Sequence, residues 1–183
     1  MKLNIKIFFL TLFFPSIVIF NNWIKVNLLI RVKSTKTHDI YNYMDGPLKN
    51  LLVVDLTRVL VGPYCTMILS DLGARVIKVE APEIGDDSRK FGPFIKDYSA
   101  YFMSLNRGKE SIALNLKNSD DKKIFDKILS KADILVENFK PGTLEKWGYG
   151  WKDVNKKYPK LIYASASGFG QTGPLKELPA YDM

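Results

Sequence analysis

The stretch LLVVDLTRVLVGPYCTMILSDLGARVIKVE, residues 51–80, decides the fold. Residues 51–56 form a short apolar run rich in β-branched side chains, which predicts a buried strand. Gly62-Pro63 opens a helical segment, because proline suits a first helical turn, and Gly73 closes that segment in a left-handed conformation. Residues 74–80 predict a second strand. Strand, helix and strand within about 30 residues form a right-handed βαβ unit with parallel pairing.

The same alternation continues along the chain. Further strands are predicted at residues 110–116, 133–139 and 160–167, and short helices around TLEKWG and WKDVNKKY. The segment SDDKKIFDKILSKA predicts an amphipathic helix capped by Ser119, with Ile124, Phe125, Ile128, Leu129 and Ala132 on one apolar stripe. Alternating strands and helices predict an α/β layer fold that binds ligands at the carboxyl ends of its strands.

The segment APEIGDDSRKFGP follows the second predicted strand and is typical of a loop. We expect this loop to expose Asp86, Asp87 and Arg89. Cys65 is the only cysteine and His38 the only histidine. A single cysteine allows neither an intrachain disulfide nor a cysteine metal cluster, and we expect Cys65 to be buried in its helix.

The net charge of +8 is concentrated near the N-terminus, where residues 1–46 carry six Lys or Arg. No basic run with interleaved aromatics occurs in the rest of the chain, which argues against a nucleic-acid partner. Residues 1–46 are predicted to be a leader or extension outside the fold, and residues 47–183 the folded body. A basic leader without acids before Asp39 favours a mitochondrial presequence over a secretory signal or a short membrane anchor. A cytoplasmic protein starting at Met44 is a further alternative.

Gly168, Gly170 and Gly173 match a G-x-G-x-x-G pattern directly after the last predicted strand. A dinucleotide site needs a helix to begin at these glycines, so that its N-terminus faces the pyrophosphate. Here Pro174 follows at once and no helical period opens. We therefore expect a mobile loop that covers a site at the strand end, and no NAD.

Six segments in order carry a resemblance: VVDLTRVLVGPYCTMILSDLGARVIKVE, GDDSR, YFMSLNRGKESIALNLK, ADILVENFKPGTLEKWGYGW, LIYASASGFGQTGP and AYD. Together they resemble the class III CoA-transferases, the CaiB/BaiF-like family of formyl-CoA and carnitine-linked CoA-transferases. The chain looks most like the mitochondrial succinate–hydroxymethylglutarate CoA-transferase group. The resemblance covers about residues 47–183 and implies a Rossmann-like parallel sheet with flanking helices, incomplete relative to the family's large domain. It also implies a homodimer.

The resemblance places CoA across the strand ends, bound as a substrate rather than as a permanent cofactor. The implied contacts are Arg58, Leu60, Val61, Ala81, Leu114, Asn115, Lys117, Asn138, Phe139, Lys140, Lys146 and Tyr181. Ala81 stands where the family often has an arginine. Lys146 also replaces a usual arginine, which keeps the charge but loses the bidentate fork. The cationic residues would supply counter-charge to the anionic groups of CoA.

The resemblance implies transfer of CoA between an acyl-CoA, such as succinyl-CoA, and a free carboxylic acid through an aspartyl intermediate. The loop Gly168–Gly173 would act as a lid whose N–H groups hold the oxyanion. The family's nucleophilic aspartate follows the AYD element, beyond Met183, so Asp182 is expected to be an accessory acid. We therefore expect a truncated chain that is inactive alone.

Two alternatives stay open at this point. An α-methylacyl-CoA racemase shares this domain, but it uses a histidine beside the acid, whereas Tyr181 precedes Asp182 and residues 47–183 contain no histidine. The other alternative is an inert fragment that binds CoA or a partner protein. No metal is expected as a partner.

Overall fold

The computed structural model describes residues 46–180, and its main sheet consists of five parallel strands. These are β1 (Leu52–Asp55), β2 (Arg75–Glu80), β5 (Lys109–Ala113), β6 (Ile134–Glu137) and β7 (Ile162–Ser165). Their spatial order is β5-β2-β1-β6-β7, and every neighbouring pair is parallel. Counted along the chain, this is the 3-2-1-4-5 order of a doubly wound α/β fold. The predicted α/β class and parallel sheet are confirmed.

Five α-helices connect the strands in the described part of the chain. They are α1 (Val61–Asp71), α2 (Ala100–Leu105), α3 (Ser119–Leu129), α4 (Thr143–Trp147) and α5 (Trp151–Lys157). A 3₁₀-helix spans Asp87–Lys90, and the strands β3 (Phe94–Ile95) and β4 (Tyr98–Ser99) form a separate antiparallel pair. All the predicted strands and helices are present, although each strand of the sheet is one to four residues shorter than its prediction. Gly73 has the expected left-handed φ, 98°.

The two faces of the sheet carry different layers. On one face Val54 and Leu135 pack with Phe125 and Leu129 of α3 and Val154 of α5. On the other face, which α1 covers, Val53, Val76 and Val136 form a smaller apolar cluster with Ala74 at the amino ends of the strands. Side chains alternate between the faces along each strand, so Asp55, Lys78 and Lys109 share the α1 face with these valines.

Three details of the helices differ from the predictions. Cys65 is exposed, because α1 turns Gly62, Pro63, Thr66, Met67 and Ser70 towards the sheet. Asn118, not Ser119, caps α3, since its side chain accepts a hydrogen bond from the N–H of Asp120. On α3, Phe125 and Leu129 are buried and Ile128 packs beside them, but Ile124 is 43% exposed. The predicted amphipathic stripe is therefore narrower than its sequence pattern.

No helix within residues 46–180 has the length and apolar character needed to cross a membrane. Residues 1–45 of the predicted leader lie outside the described residues, so the structure does not bear on them.

Candidate functional site

The carboxyl edge of the sheet has a crevice between β1 and β6, where the strand order changes direction. From β1 the chain runs outward through β2 to β5, and it then crosses to β6 and β7 on the other side. The loops after β1 and β6 lead to helices on opposite faces, α1 and α4. Doubly wound folds bind their ligands in such a crevice. This edge is therefore the candidate functional site.

Arg58 and Asn138 join the two loops across the crevice. The N–H of Arg58 donates to Oδ1 of Asn138 at 2.8 Å, and Nδ2 of Asn138 donates to the carbonyl of Arg58 at 2.8 Å. The Arg58 guanidinium lies 5.4 Å from the ring centroid of Phe139 and 3.2 Å from an oxygen of Asp87. The structure thus brings Arg58, Asn138 and Phe139 together, although they come from segments 80 residues apart.

Leu60 and Val61 lie where the turn after β1 enters α1. Val61 is 66% exposed, and Leu60 is partly exposed. No side chain caps the N-terminus of α1. Gly62 follows directly, and a Cβ there would overlap the side chain of Thr57, so only glycine lets α1 start this close to the turn. Both predicted residues therefore stand at the crevice, next to Arg58.

The predicted residues after β2 and β5 lie farther out along the same edge. Ala81 is exposed immediately after β2. Leu114 follows β5, but its side chain belongs to the apolar core and is only 5% exposed. Asn115 and Lys117 are exposed, and Oδ1 of Asn115 accepts a hydrogen bond from the N–H of Lys117. Within this group, Asn115 and Lys117 are the ones whose polar side chains are open to a ligand.

Three predicted lysines are exposed and form no ion pair with any residue in the range 46–180. They are Lys117 after β5, Lys140 after β6 and Lys146 in the last turn of α4. Lys140 also lines an open cleft of about 550 Å³ beside the ends of β6 and β7. Arg58, Lys117 and Lys140 each follow the carboxyl end of a strand, so three of the four predicted cations share one edge of the sheet.

The glycine-rich loop lies at the end of β7. Gly168, Gly170 and Gly173 are exposed, and φ is 81° at Gly170 and 93° at Gly173. Nε2 of Gln171 donates to Oγ of Ser165 at 2.6 Å, which ties the loop to the strand. No helix begins at the glycines within the described residues. Tyr181 and Asp182 lie outside the described residues.

Glu137 is a buried carboxyl that lines the same cleft as Lys140. It is 4% exposed, and its carboxylate accepts a hydrogen bond from the N–H of Phe139 at 2.8 Å. Burial raises the pKa of Glu137, and the nearby Glu145 adds to this, against hydrogen bonds from Ser165 and Phe139. The carboxyl therefore favours its neutral form more than an ordinary glutamate does.

Beneath the crevice lies a buried ionic cluster that the sequence patterns did not predict. Nζ of Lys78 lies 2.8 Å from Oδ2 of Asp86, and Nζ of Lys109 lies 3.0 Å from Oδ2 of Asp55. All four side chains are at most 2% exposed. Oδ2 of Asp55 also accepts a hydrogen bond from Oγ1 of Thr66 at 2.6 Å. A buried charge needs an opposite charge and hydrogen bonds, and both pairs have them.

The pKa values of the cluster follow from its geometry. Burial by itself raises the pKa of Asp55, but Lys78, Lys109 and two threonine hydroxyls outweigh it and hold the pKa below its ordinary value. Asp86 behaves in the same way, with Lys78 and Ser88 as its partners. Burial lowers the pKa of Lys109 to about 8, against the opposing effect of Asp55. Both aspartates are therefore ionised at neutral pH.

The expected exposure of Asp86 is wrong. The loop after β2 folds inward, because Asp86 is 1% exposed and is held by Lys78 and Ser88. Asp87 and Arg89 are partly exposed, and Arg89 forms a bidentate ion pair with Glu80, with both N···O distances 2.7 Å. The guanidinium of Arg89 also lies 3.8 Å from the ring centroid of Phe102. The GDDSR segment is therefore a structural clamp under the site.

Residues 46–180 contain no group of His, Cys, Asp and Glu that could hold a metal ion. Asp55 and Asp86 are buried, and each is paired with a lysine and accepts hydrogen bonds from hydroxyls, so neither presents a free carboxylate to a substrate.

Comparisons with known proteins agree with this architecture. The model of CoA-transferase family III matches residues 48–183. Acetyl-CoA:oxalate CoA-transferase of Acetobacter aceti is 57% identical over 137 residues, which are 75% of this chain and 35% of the relative. Human succinyl-CoA:glutarate CoA-transferase is 47% identical over 137 residues, 74% of this chain and 31% of the relative. The chain spans about a third of the length of these curated relatives.

Among solved structures, the crystal structure of a CAIB/BAIF family protein from Brucella suis matches with a TM-score of 0.71 and 43% sequence identity. The match covers 75% of this chain and 37% of that one. The similarity in sequence and the similarity in fold each cover about three quarters of the chain.

Proposed function

Since the chain belongs to CoA-transferase family III, as its ordered motifs predicted, we propose that it carries the CoA-binding edge of an enzyme that transfers CoA from an acyl-CoA to a free carboxylate. The junction of Arg58, Asn138 and Phe139 at the switch point of the sheet is the observation that supports this most directly. It fixes a cation and an aromatic ring at the position where this fold class binds nucleotide-bearing ligands.

The charges around the crevice suit the anionic end of CoA. Arg58, Lys117 and Lys140 follow three different strands and reach solvent at one edge. Cations that are not already neutralised by a carboxylate can form charge-assisted hydrogen bonds with phosphate oxygens. Arg58 shares its charge with Asp87, so Lys117 and Lys140 are proposed as the main phosphate partners and Arg58 as a positioning contact beside Phe139.

The proposed reaction transfers CoA between two carboxylic acids through an aspartyl intermediate. The aspartate attacks the acyl carbonyl, the carbon–sulfur bond breaks, and CoA leaves as a thiolate while a mixed anhydride forms. The thiolate then attacks the aspartyl carbonyl, releases the donor acid and leaves an aspartyl thioester. The acceptor carboxylate attacks this thioester, which expels CoA thiolate again and forms a second mixed anhydride. The thiolate finally attacks the acceptor's acyl carbonyl, which gives the new acyl-CoA and frees the aspartate. Because Asp55 and Asp86 are buried in ion pairs, the nucleophile is proposed to follow the AYD element, with Asp182 as an accessory acid.

Relatives guide the choice of substrates. The names of the two relatives above pair an acyl-CoA, acetyl-CoA or succinyl-CoA, with a dicarboxylic acid, oxalate or glutarate. We propose succinyl-CoA as the donor and a short dicarboxylate as the acceptor. The loop Gly168–Gly173, tied to β7 by Gln171, is proposed to cover the reacting carbonyl and to exclude water. A homodimer in mitochondria is proposed for the working enzyme.

Calorimetric titration of the 183-residue chain with CoA tests the binding part of this proposal. We expect saturable binding, and we expect Asn138→Ala to weaken it about tenfold, because two hydrogen bonds that close the crevice are lost. Asn155→Ala is the matched control, since Asn155 is exposed on α5 and should leave binding unchanged. A folded chain that ignores CoA would contradict the proposal.

The transfer reaction is tested with a full-length protein that contains this chain. Succinyl-CoA is supplied with oxalate or glutarate, and the new thioester is followed by chromatography. Product formation should depend on the acceptor acid. Thioester hydrolysis at the same rate without any acceptor would count against a transferase.

A further inference from the structure

The turn between β1 and α1 has a backbone conformation that its own sequence does not favour. Val59 has a φ of 69°, in the left-handed region that β-branched residues rarely adopt. This turn carries Arg58, Leu60 and Val61 to the crevice. A turn in such a conformation persists only if surrounding groups hold it there.

Asp86 holds the turn at two points. Its Oδ1 accepts a hydrogen bond from the N–H of Val59 at 3.1 Å. Its Oδ2 pairs with Nζ of Lys78, and the same ammonium group donates to the carbonyl of Thr57 at 2.7 Å. Asp86 and Lys78 are each 1% exposed, so water does not compete for these contacts.

Asp86 is itself fixed by its own loop. The N–H and the hydroxyl of Ser88 donate to its Oδ1 at 2.9 and 2.7 Å. Its own N–H donates to Oε2 of Glu80 at 2.9 Å, and Glu80 is paired with Arg89. A Cβ on Gly85, which has a φ of 68°, would lie 2.8 Å from Cδ of Arg89, so the loop closes tightly around this pair.

We propose that Asp86 and Lys78 are positioning residues, which hold the turn after β1 in the conformation that presents Arg58, Leu60 and Val61 to CoA. Asn138 grips the turn from the other side of the crevice through the backbone of Arg58. The inference rests on the proposed function. It adds that binding depends on a buried pair that does not touch the ligand.

Hydrogen exchange and CoA titration of matched variants test this inference. Lys78→Met and Asp86→Leu each leave one buried charge without its partner, and both should lower stability and CoA affinity. The double variant Lys78→Met/Asp86→Leu buries no lone charge, so it should be more stable than either single variant. CoA should nevertheless bind about tenfold more weakly than to the wild type, as expected if the turn spends about a tenth of its time in the competent conformation. The amide of Val59 should exchange at least about tenfold faster.

A purely structural role predicts a different result. In that case CoA affinity would return to the wild-type value together with stability in the double variant, and the inference would be overturned. Lys131→Met removes an exposed charge at the amino end of β6 and should change none of the three quantities.

Two outcomes separate this inference from the proposed function. If the wild-type chain folds but does not bind CoA, the proposed function fails, while exchange at Val59 still decides whether Asp86 fixes the turn. If the Val59 amide of the wild type exchanges at the rate of an unprotected loop, the positioning role is wrong, whether or not any variant folds.

Discussion

The two faces of the sheet pack against their helices with different kinds of side chains. Under α3 and α5, Val54 and Leu135 meet Phe125 in an apolar layer that contains one buried carboxyl, Glu137, at its end. Under α1, the apolar layer stops halfway along the strands and gives way to the Asp55–Lys109 and Lys78–Asp86 pairs. The ionic half lies below the turn that carries Arg58. The buried ion pairs, which are costly to desolvate, therefore lie where the turn after β1 has to be fixed in one conformation.

The two faces also differ in why the loss of a side-chain contact lowers stability. A vacancy in the apolar layer removes contacts and leaves a cavity, which costs in proportion to its volume. Removal of one partner from an ion pair leaves a charge in a medium that solvates it poorly. The ionic face should therefore be the more sensitive one, and it should respond to pH.

Acid should have the largest effect, because it acts on all the buried carboxylates of the ionic face at once. The pKa values of Asp55, Glu80 and Asp86 lie below their ordinary values, since their cationic and hydrogen-bonding partners outweigh the effect of burial. Near pH 4 the unfolded chain thus binds more protons than the folded one, so the stability from these groups is present above that pH and is lost as the pH falls through the folded pKa values. Urea titrations from about pH 7 to about pH 3 should show this loss.

Salt distinguishes the buried pairs from surface ones in that experiment. Ionic strength of about 1 M screens exposed pairs strongly and buried pairs weakly. The acid dependence should therefore survive in high salt. Its disappearance would mean that the exposed pairs, such as Lys123–Asp120, dominate instead.

Lys109→Met should have the largest effect of any single substitution on the ionic face. It removes the ammonium that Asp55, Asn106 and the carbonyl of Pro63 share, and it leaves a fully buried carboxylate short of its partner. We expect the free energy of unfolding to fall by about 3–5 kcal/mol. Adding Asp55→Asn should recover part of this loss. A double variant no more stable than the single one would show that the pair is not the source of the effect.

Leu135→Ala makes the corresponding test on the apolar face. Leu135 is fully buried between Val54 and the helices, so truncation leaves a cavity and should cost about 3 kcal/mol. This loss should be the same at pH 5 and pH 8, since no titrating group is involved. A clear pH dependence of the Leu135→Ala effect would contradict the claim that only the ionic face responds to pH.

Sequence periodicity predicted the apolar face well and the ionic face poorly. Phe125 and Leu129 repeat at the helical spacing, and burial of apolar side chains is what that spacing reports. Lys78 and Lys109 resemble solvated charges in the sequence. Lys109 pairs with Asp55, which is 54 residues away in the chain, so no local pattern indicates the contact. One signal was available in the strand RVIKVE. Lys78 lies two residues after Val76, so the two side chains point to the same face of the sheet. A central strand of a doubly wound fold is buried on both faces, which predicts that Lys78 is buried.

The residues of the candidate site were likewise predicted in part and missed in part. The switch-point rule predicts that residues after β1 and β6 meet, and Arg58, Asn138 and Phe139 do meet there. The clamp formed by Asp86 was missed, because a loop rich in Gly, Asp and Ser is normally solvated and its inward fold depends on Lys78. Leu114 was expected at the ligand, but the side chain that follows β5 on the apolar face packs into the core.

Two neighbours on α1 give the smallest and most local test of the difference. Thr66 faces the sheet and donates to Asp55, whereas Cys65 faces away and is exposed, although hydrophobicity alone predicts the reverse. Thr66→Val keeps the shape and removes the hydroxyl, so it should cost about 1–3 kcal/mol by leaving Asp55 short of a donor. Cys65→Ser makes an apolar residue polar and should change the free energy of unfolding by less than about 0.5 kcal/mol.

Urea unfolding of the two variants side by side measures both values with one helix as the common background. Cysteine and serine have similar helix propensities, so Cys65→Ser is a fair control for the local change in the helix. Equal effects of the two substitutions would mean that α1 packs through its apolar stripe, Val61, Tyr64 and Ile68, which are 40–66% exposed in the structure. The inverted polarity of α1 is what lets a helix cover the ionic half of the sheet, because Thr66 supplies a donor where an apolar side chain would leave Asp55 less completely hydrogen-bonded.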